Sequence, residues 1–442
     1  VELPSFKVVS GEKPREIAAQ VLLERSRPAG NFVEEALQKA LAAARLSPAD
    51  RSLAHELVCG AVRWQATLDW LIACKTGRPR QKPMLQNLLR LGLYQIFWLD
   101  RVPNHAAVYE TVELAKRAGL GPQAGFVNAV LRGYLREFDA TRERLAALKI
   151  SQPPLGYSHP DWLVARWQKR WSPEKTAQLL AWNNTPPATY ARVNTLKTDP
   201  GRLLERWRAE SVEYDFIRRD WFDENLVFEL KSHPALPELT SFQEGSFYVQ
   251  DPSTLLAVRE LDPQPGESIL DFCAAPGGKT TYIAQLMKNQ GELAAQDVSP
   301  ERLQLLEGNC ARLGAICVRT TLSNSTPHFA LSPSLFDRIL VDVPCSNTGV
   351  MRRRVDLRWR IQPKEIERLR TAQLRLLSQA ASLLKPGGTL VYSTCSLEPE
   401  ENEGVLGAFL GEHPDYESMH QRELIPFQDA VDGAYVARLR RV

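Results

Sequence analysis

The sequence predicts a multidomain protein in which an all-α bundle is followed by a small α+β subdomain and then by a doubly wound α/β domain. Three observations carry this expectation. Between Pro14 and residue 150 the apolar residues recur at helical spacing, and nothing alternates with the two-residue period of a strand. Between residues 158 and 248 short helical and strand-like patterns are mixed. From residue 262 onward, strand-length apolar runs alternate with helical ones, the pattern of a parallel sheet covered by helices. A chain of 442 residues also exceeds one ordinary hydrophobic core.

Residues 1–13 carry no clear pattern and read as a loose end. From Pro14 onward, Ile17, Val21 and Leu22 share one helix face, and Val33, Leu37 and Leu41 another. Ser47-Pro-Ala-Asp50 reads as a helix start with proline in the first turn. Further helical patterns cover 68–73, 84–98, 106–117 and 125–138. The Pro- and Gly-rich stretch between Lys149 and Pro160 reads as a linker. Helices then run from Pro160 to Trp171 and from Ser172 to near Trp182, where Asn183-Asn-Thr-Pro-Pro187 breaks the pattern. Residues 189–194 and 226–230 read as strands, with a helix at 199–208 between them. In the last domain the expected strands are 268–272, 292–297, 315–320, 337–342 and 388–394, and the expected helices 279–289, 299–313 and 364–385. Tyr435-Val-Ala-Arg-Leu439 reads as an antiparallel strand at the end of the sheet.

Bulk properties narrow the function. Residues 1–150 hold 22 Lys and Arg against 15 Asp and Glu, a net +7, which leaves −4 for the rest. A basic accessory domain beside a near-neutral one suits a polyanionic partner, although solvated surfaces of this charge are common. No apolar run approaches membrane-spanning length, and the N-terminal residues lack a basic stretch followed by an apolar core. The seven cysteines show no CxxC spacing, so neither a metal site nor a disulfide framework is expected. A reduced, cytoplasmic protein with no membrane association and no obligate protein partner fits this composition.

The chemistry concentrates at four strand ends. Ser268-Ile-Leu-Asp271-Phe-Cys-Ala-Ala-Pro-Gly-Gly-Lys279-Thr is a strand, a Gly-rich turn and a helix start, the unit that offers free backbone N–H groups to a ligand. Asp297 ends the next strand, where a carboxylate can accept bonds from two ribose hydroxyls. Asp342-Val-Pro-Cys345 and Ser393-Thr-Cys-Ser396 end two later strands. In an open α/β sheet, ligands bind outside those ends.

Asp-x-Cys-Ala-Ala-Pro-Gly-Gly-Lys-Thr, Asp-x-Pro-Cys-Ser and Thr-Cys-Ser, in this order, resemble the RNA 5-methylcytosine methyltransferases that use S-adenosyl-L-methionine. The resemblance covers about residues 250–442 and implies a Rossmann-like methyltransferase domain at 249–442. The earlier part resembles the bacterial small-subunit (16S) ribosomal-RNA branch of that family. It implies a helical RNA-binding domain similar to the antitermination factor NusB at 14–148 and a small, ferredoxin-like RNA-recognition subdomain at 158–248. The motifs that match are Leu57-Val-Cys-Gly-Ala-Val-Arg63, Val102-Pro-Asn-His105-Ala-Ala107, Phe126-Val-Asn-Ala-Val-Leu-Arg132 and the Arg192-Val-Asn194 element. Arg63, Arg101 and Arg132 are candidate phosphate contacts, with solvated-surface roles equally open. His105 reads as a cap or a satisfied buried polar group rather than a catalyst.

Carbon 5 of cytosine is too weak a nucleophile to attack a methyl sulfonium unaided. A thiolate adding to carbon 6 makes carbon 5 reactive, so the reaction needs a nucleophilic cysteine, a group polarising the ring and a base for the carbon 5 proton. The resemblance implies that Cys395 is the nucleophile and that Cys345 assists elimination. It places Asp342 near the cytosine N3 and the cofactor, and Lys279 beside the same ring. Cys273, Ala274, Ala275, Pro276, Gly277, Gly278 and Lys279 would line the methionine end of the cofactor, with Asp297 on the ribose. Where the family has an acidic adenine contact, Ser323 is the nearest equivalent here. Val343, Asn347 and Val355 also depart from the family pattern. Cys59, Cys74, Cys310 and Cys317 read as buried small hydrophobes. Met351-Arg-Arg-Arg-Val-Asp-Leu-Arg-Trp-Arg360 reads as an RNA-contacting run, with a solvated charge run as the alternative. The substrate expected is small-subunit ribosomal RNA; transfer RNA with the same chemistry and an idle RNA-binding factor are the alternatives.

Overall fold

The structure, a computed structural model, describes residues 13–27, 32–323 and 336–442. All of the expected loose end but Lys13 lies outside these residues. The chain forms two compact units, 1–185 with 351–360, and 186–350 with 361–442.

The first unit is helical, with helices Pro14–Arg25, Val33–Ala43, Pro48–Arg63, Gln65–Thr76, Pro83–Trp98, Asn104–Arg117 and Gly121–Arg136 leading the chain. Pro14, Pro48 and Pro83 each open a helix, where a missing N–H sacrifices no bond. The Ser47 hydroxyl accepts the Asp50 N–H at 3.1 Å, capping the third helix. Apolar faces meet in one core in which Leu57, Leu68, Leu88 and Leu131 are fully buried. Gly60 lets helices approach, since a Cβ there would fall 1.9 Å from the Tyr94 ring.

Two expectations change in this unit. The stretch read as a linker is packed: helix Phe138–Ser151 leads into a helical turn at Pro153–Gly156. Thr67 donates its hydroxyl to the Leu155 carbonyl at 2.7 Å, and Ser158 and His159 are buried. The arginine run is mostly enclosed rather than lying open on the surface. Asp356 is fully buried and accepts from Arg25 Nε at 2.6 Å, Arg360 Nε at 2.8 Å and the Val33 N–H at 3.1 Å. Arg358, also fully buried, donates to Asn184 Oδ1 at 2.7 Å and to the Asn183 carbonyl at 2.8 Å. Trp359 donates its indole N–H to the Val62 carbonyl at 2.8 Å. Only Arg354 of the five arginines is exposed. Within this unit Arg63 is buried too, while Arg101, Arg132 and His105 are exposed.

The second unit holds two sheets among the described residues. The smaller consists of β1 (Thr189–Val193), β2 (Glu213–Phe216), β3 (Val227–Ser232) and β4 (Phe247–Val249), in the order β2-β3-β1-β4 with antiparallel neighbours. With helix Pro200–Ala209 between β1 and β2, this is the ferredoxin-like order. Trp207 anchors its core, edge-on to Phe228 and Phe247 at 5.5 and 5.4 Å.

The larger sheet takes β5 (Ser268–Asp271), β6 (Glu292–Asp297), β7 (Val318–Leu322), β8 (Phe336–Asp342), β9 (Leu384–Thr394), β10 (Tyr416–Leu424) and β11 (Ala434–Arg441), in the order β10-β11-β9-β8-β5-β6-β7. The five strands from β9 to β7 are parallel, and β11 runs antiparallel to both its neighbours, β9 and β10. Central strands are buried on both faces and read as unbroken apolar runs, which is why they were legible: Ile269, Ile339, Leu340 and Val391 are fully buried. The tail strand is internal rather than terminal. Sequence reading missed β10, which closes that edge and is mostly exposed, without an apolar run. Among the described residues no helix is long and apolar enough to cross a membrane.

Candidate active site

Helix Gly278–Leu286 starts directly behind the β5 turn, so the turn presents the helix N-terminus and its free N–H groups. Gly277 has φ +100°, a conformation side-chain-bearing residues rarely adopt. A Cβ on Gly278 would lie 3.1 Å from the Tyr248 ring and 3.3 Å from Gln250 Oε1, so glycine admits these side chains to the turn. Buried Arg192 fastens the same place, donating to the Gly278 carbonyl and Gln250 Oε1, both at 2.9 Å, and to Thr281 Oγ1 at 3.2 Å. The Arg192 element of the smaller sheet is thus a brace for the Gly-rich turn.

A cavity of about 190 Å³ opens here, lined by Tyr248, Gln250, Asp271, Lys279, Asp342 and the Cys273–Pro276 turn. Two buried atoms on its lining residues have no hydrogen-bond partner among the described residues, Asp271 Oδ1 and Gln250 Nε2. Arg192 needs an acceptor from Gln250, which fixes the amide and leaves its NH2 side open. Asp271 Oδ2 accepts the Thr280 hydroxyl at 2.7 Å. Burial pushes the Asp271 carboxyl up to about 7, against the Thr280 bond and with Asp342 adding repulsion. An orphaned acceptor and an orphaned donor on one small cavity match the α-ammonium and α-carboxylate of an amino acid. These residues therefore fit the methionine end of S-adenosyl-L-methionine. Burial pushes the Cys273 thiol up, which disfavours its thiolate.

Asp297 is buried at the end of β6. Its carboxylate accepts the Ala275 N–H at 3.1 Å and the Ser299 N–H at 3.2 Å, and Arg302 stands 3.5 Å away. It braces the turn from the far side, and a carboxylate retains acceptor sites for a hydroxyl pair. Ser323 follows β7 and joins this end: its N–H donates to the Asp297 carbonyl at 2.9 Å, and its hydroxyl accepts from Gln296 Nε2 at 3.1 Å.

Parallel pairing of β8 and β9 sets Asp342 opposite Ser393, and so brings the two cysteine segments together. Cys345 Sγ and Cys395 Sγ are 3.2 Å apart. Lys279 Nζ lies 2.7 Å from Asp342 Oδ2, and the Ser393 hydroxyl donates to Asp342 Oδ1 at 2.6 Å. Burial opposes the charge on Lys279, but the Asp342 carboxylate outweighs it and holds the ammonium above the usual lysine range. The bond to Cys395, burial and the Glu401 charge together push the Cys345 thiol well up. The Cys395 thiol donates to Asn347 Oδ1 at 3.1 Å, while Asn347 Nδ2 donates to the Cys345 carbonyl at 2.7 Å. Asn347 sits at φ +58°, which asparagine tolerates better than most side chains. Of the other cysteines, Cys59 and Cys310 are buried, with burial pushing both thiols up to about 12; Cys74 is exposed and Cys317 half-buried, unlike the expectation.

Every sequence-predicted catalytic and cofactor-binding residue thus lies at the strand ends of the larger sheet. Sequence reading gave no role to Asp271 or Ser393, although both stand inside the quoted motifs. It passed over Glu401 and Gln373. Glu401 stands among Glu398, Glu400 and Glu403, a run that looks like solvated charge and offers no signal to single it out.

Comparison with known proteins agrees across the whole chain. The 16S rRNA methyltransferase RsmB/F family matches residues 258–440, the NusB family 12–136, and the ferredoxin-like domain of the RsmF/B-like methyltransferases 159–226. A Bacillus subtilis (strain 168) protein described as "Probable ribosomal RNA small subunit methyltransferase B" is 35% identical over 452 residues, covering 97% of this chain and 98% of its own. The Synechocystis protein of the same description is 40% identical over 448 residues, covering 97% and 99%. The crystal structure of a methyltransferase homolog from Pyrococcus horikoshii matches with a TM-score of 0.57 and 32% identity, covering 65% of this chain and 97% of that one.

Proposed function

Since the chain belongs to the RsmB/F family of S-adenosylmethionine-dependent 16S rRNA methyltransferases, we propose that it methylates carbon 5 of a cytosine in 16S ribosomal RNA through a covalent cysteine–cytosine adduct. The observation that carries this reading is the pair of thiols 3.2 Å apart beside the Lys279–Asp342 ion pair. Chemistry at an amino group or a hydroxyl has no use for two adjoining thiols; addition and elimination on a pyrimidine ring uses both.

The cofactor, when bound, supplies the methyl group as an electrophile. Cys395, as thiolate, forms a bond to carbon 6 and pushes the ring electrons toward carbon 5. Asp342, held on both oxygens by Lys279 and Ser393, stands near N3 and fixes the Lys279 ammonium, whose N–H groups are the donors that offset negative charge building on the ring. Once carbon 5 carries the methyl group, Cys345, its bond to Cys395 gone and its own proton passed to solvent, takes the remaining carbon 5 proton as thiolate. The electrons of that C–H bond restore the double bond between carbons 5 and 6, the C–S bond breaks, and Cys395 leaves as thiolate. The bond to Cys395 and burial push the Cys345 thiol up, which supports a later role for Cys345 than for Cys395. The target base must leave its stack to reach thiols this enclosed.

Mapping 5-methylcytosine in 16S rRNA, from cells with and without the protein and after incubation with purified protein, tests the reading. A protein-dependent 5-methylcytosine supports it. Methylation confined to another atom or to transfer RNA would sink it.

A further inference from the structure

Glu401 is fully buried in the segment between β9 and helix Glu403–Glu412. Its carboxylate accepts the Ser346 N–H on Oε1 at 2.8 Å, the Ser396 hydroxyl on Oε2 at 2.5 Å, and Gln373 Nε2 on Oε1 at 2.9 Å. Ser346 follows Cys345 and Ser396 follows Cys395, so one carboxylate grips the residue next to each thiol. The arrangement is cross-tied. The two serine hydroxyls are 3.0 Å apart, and Gln373 also donates to the carbonyl of Pro344, which precedes Cys345, at 2.9 Å. The Gly349 N–H donates to the Cys395 carbonyl at 3.0 Å. From below, the Tyr392 hydroxyl donates to the Glu401 carbonyl at 2.6 Å.

A buried carboxylate costs desolvation free energy, which its donors only partly return, and an apolar residue would fill the same space without that cost. Every donor to this one comes from, or braces, a cysteine segment. We propose that Glu401 is a positioning residue that sets the distance between the two thiols, keeping Cys345 within reach of the ring carbon next to the one Cys395 attacks. This rests on the two-cysteine reading above. Release of the adduct is the step it governs, because only that step needs both sulfurs on neighbouring carbons at once. Glu401 is wholly enclosed, so it acts through the two cysteine segments.

Glu401→Ala removes the shared acceptor, Glu401→Gln keeps the shape and one acceptor oxygen, and Ser396→Ala removes a single bond. In full-length protein, Glu401→Ala should lower kcat by about tenfold to a hundredfold, with KM for RNA and Kd for S-adenosylhomocysteine within about twofold of wild type. A protein–RNA adduct that survives denaturing electrophoresis and needs Cys395 should accumulate. Ser396→Ala should shift both readouts the same way by less, and Glu401→Gln should fall between. If Glu401→Ala does not fold, the other two decide. Wild-type kcat without adduct in the folded variants would overturn the proposal, as would a fall in kcat with no adduct. Methyl transfer by Cys395→Ala would sink the cysteine reading itself, whereas an inert Cys395→Ala beside fully active Glu401 and Ser396 variants would sink this proposal alone.

Discussion

Asp271→Asn tests the cofactor seat through its pH dependence. In the unliganded protein burial raises the Asp271 carboxyl from 3.8 to about 7, and its Oδ1 has no partner among the described residues. An α-ammonium bound at Oδ1 requires the ionised form, so below that value each pH unit should cost about a factor of ten in affinity. Between about pH 8 and about pH 6 the ionised fraction falls about tenfold, and Kd should rise in proportion. S-adenosylhomocysteine is a suitable ligand, because it carries the same amino-acid end without the sulfonium charge, and titration calorimetry reads the binding directly. Asp271→Asn should bind more weakly at the upper pH and show little slope across this window. For stability the sign reverses. A carboxyl raised on folding stabilises fully below its unfolded value near 3.8, and the contribution is lost as pH rises through about 7. Thermal unfolding without ligand should therefore weaken across that interval more in wild type than in Asp271→Asn. A flat Kd in wild type, or the same slope retained in Asp271→Asn, would refute the reasoning.

Other outcomes follow from the same geometry. Cys395→Ala should abolish methyl transfer while leaving S-adenosylhomocysteine affinity nearly unchanged. Cys345→Ala should accept the methyl group and then stall as a Cys395-dependent adduct on denaturing gels, absent from the double variant; trapping by Cys395→Ala instead would exchange the two roles. Asp356→Ala should lower stability by about 3–5 kcal/mol in chemical denaturation, because it strands half-buried Arg25 and Arg360 without their fully buried carboxylate; a loss below about 1 kcal/mol would contradict the burial argument. If exposed Arg101 and Arg132 meet phosphates, replacing both with alanine should flatten the slope of log K against log salt by about 1.4 for single-stranded RNA, and an unchanged slope would return them to plain surface. Substitution is the cleaner probe here, since deleting residues 1–148 would strip the 351–360 segment of its partners.

The strand ends were legible because each functional group sits beside an apolar run that declares a buried parallel strand. Asp271, Asp297, Asp342 and Cys395 each lie at or just after such a run, and the order of the strands brings their ends together. Helices opening on Pro14, Pro48 and Pro83 were legible for an equally local reason. β10 was not, because an exposed edge strand needs no apolar alternation and takes its register from β11. The linker was misread because proline and glycine report backbone preference, and packing of Leu155, Ser158 and His159 against distant residues is invisible to it.

Local composition carried the cofactor turn, the two thiols and the sheet that aligns them, since turn chemistry and strand period act over a few residues. Tertiary structure alone decided which charges are buried. The arginines of 351–360 and the acidic run of 398–403 both look like surface charge in sequence, yet Arg358 and Glu401 are wholly enclosed. A charged side chain is buried only where partners from elsewhere in the chain converge on it. Asn183 and Asn184 converge on Arg358, and Ser346, Gln373 and Ser396 on Glu401. Periodicity holds no record of such distant partners, and they exist only once the chain has folded.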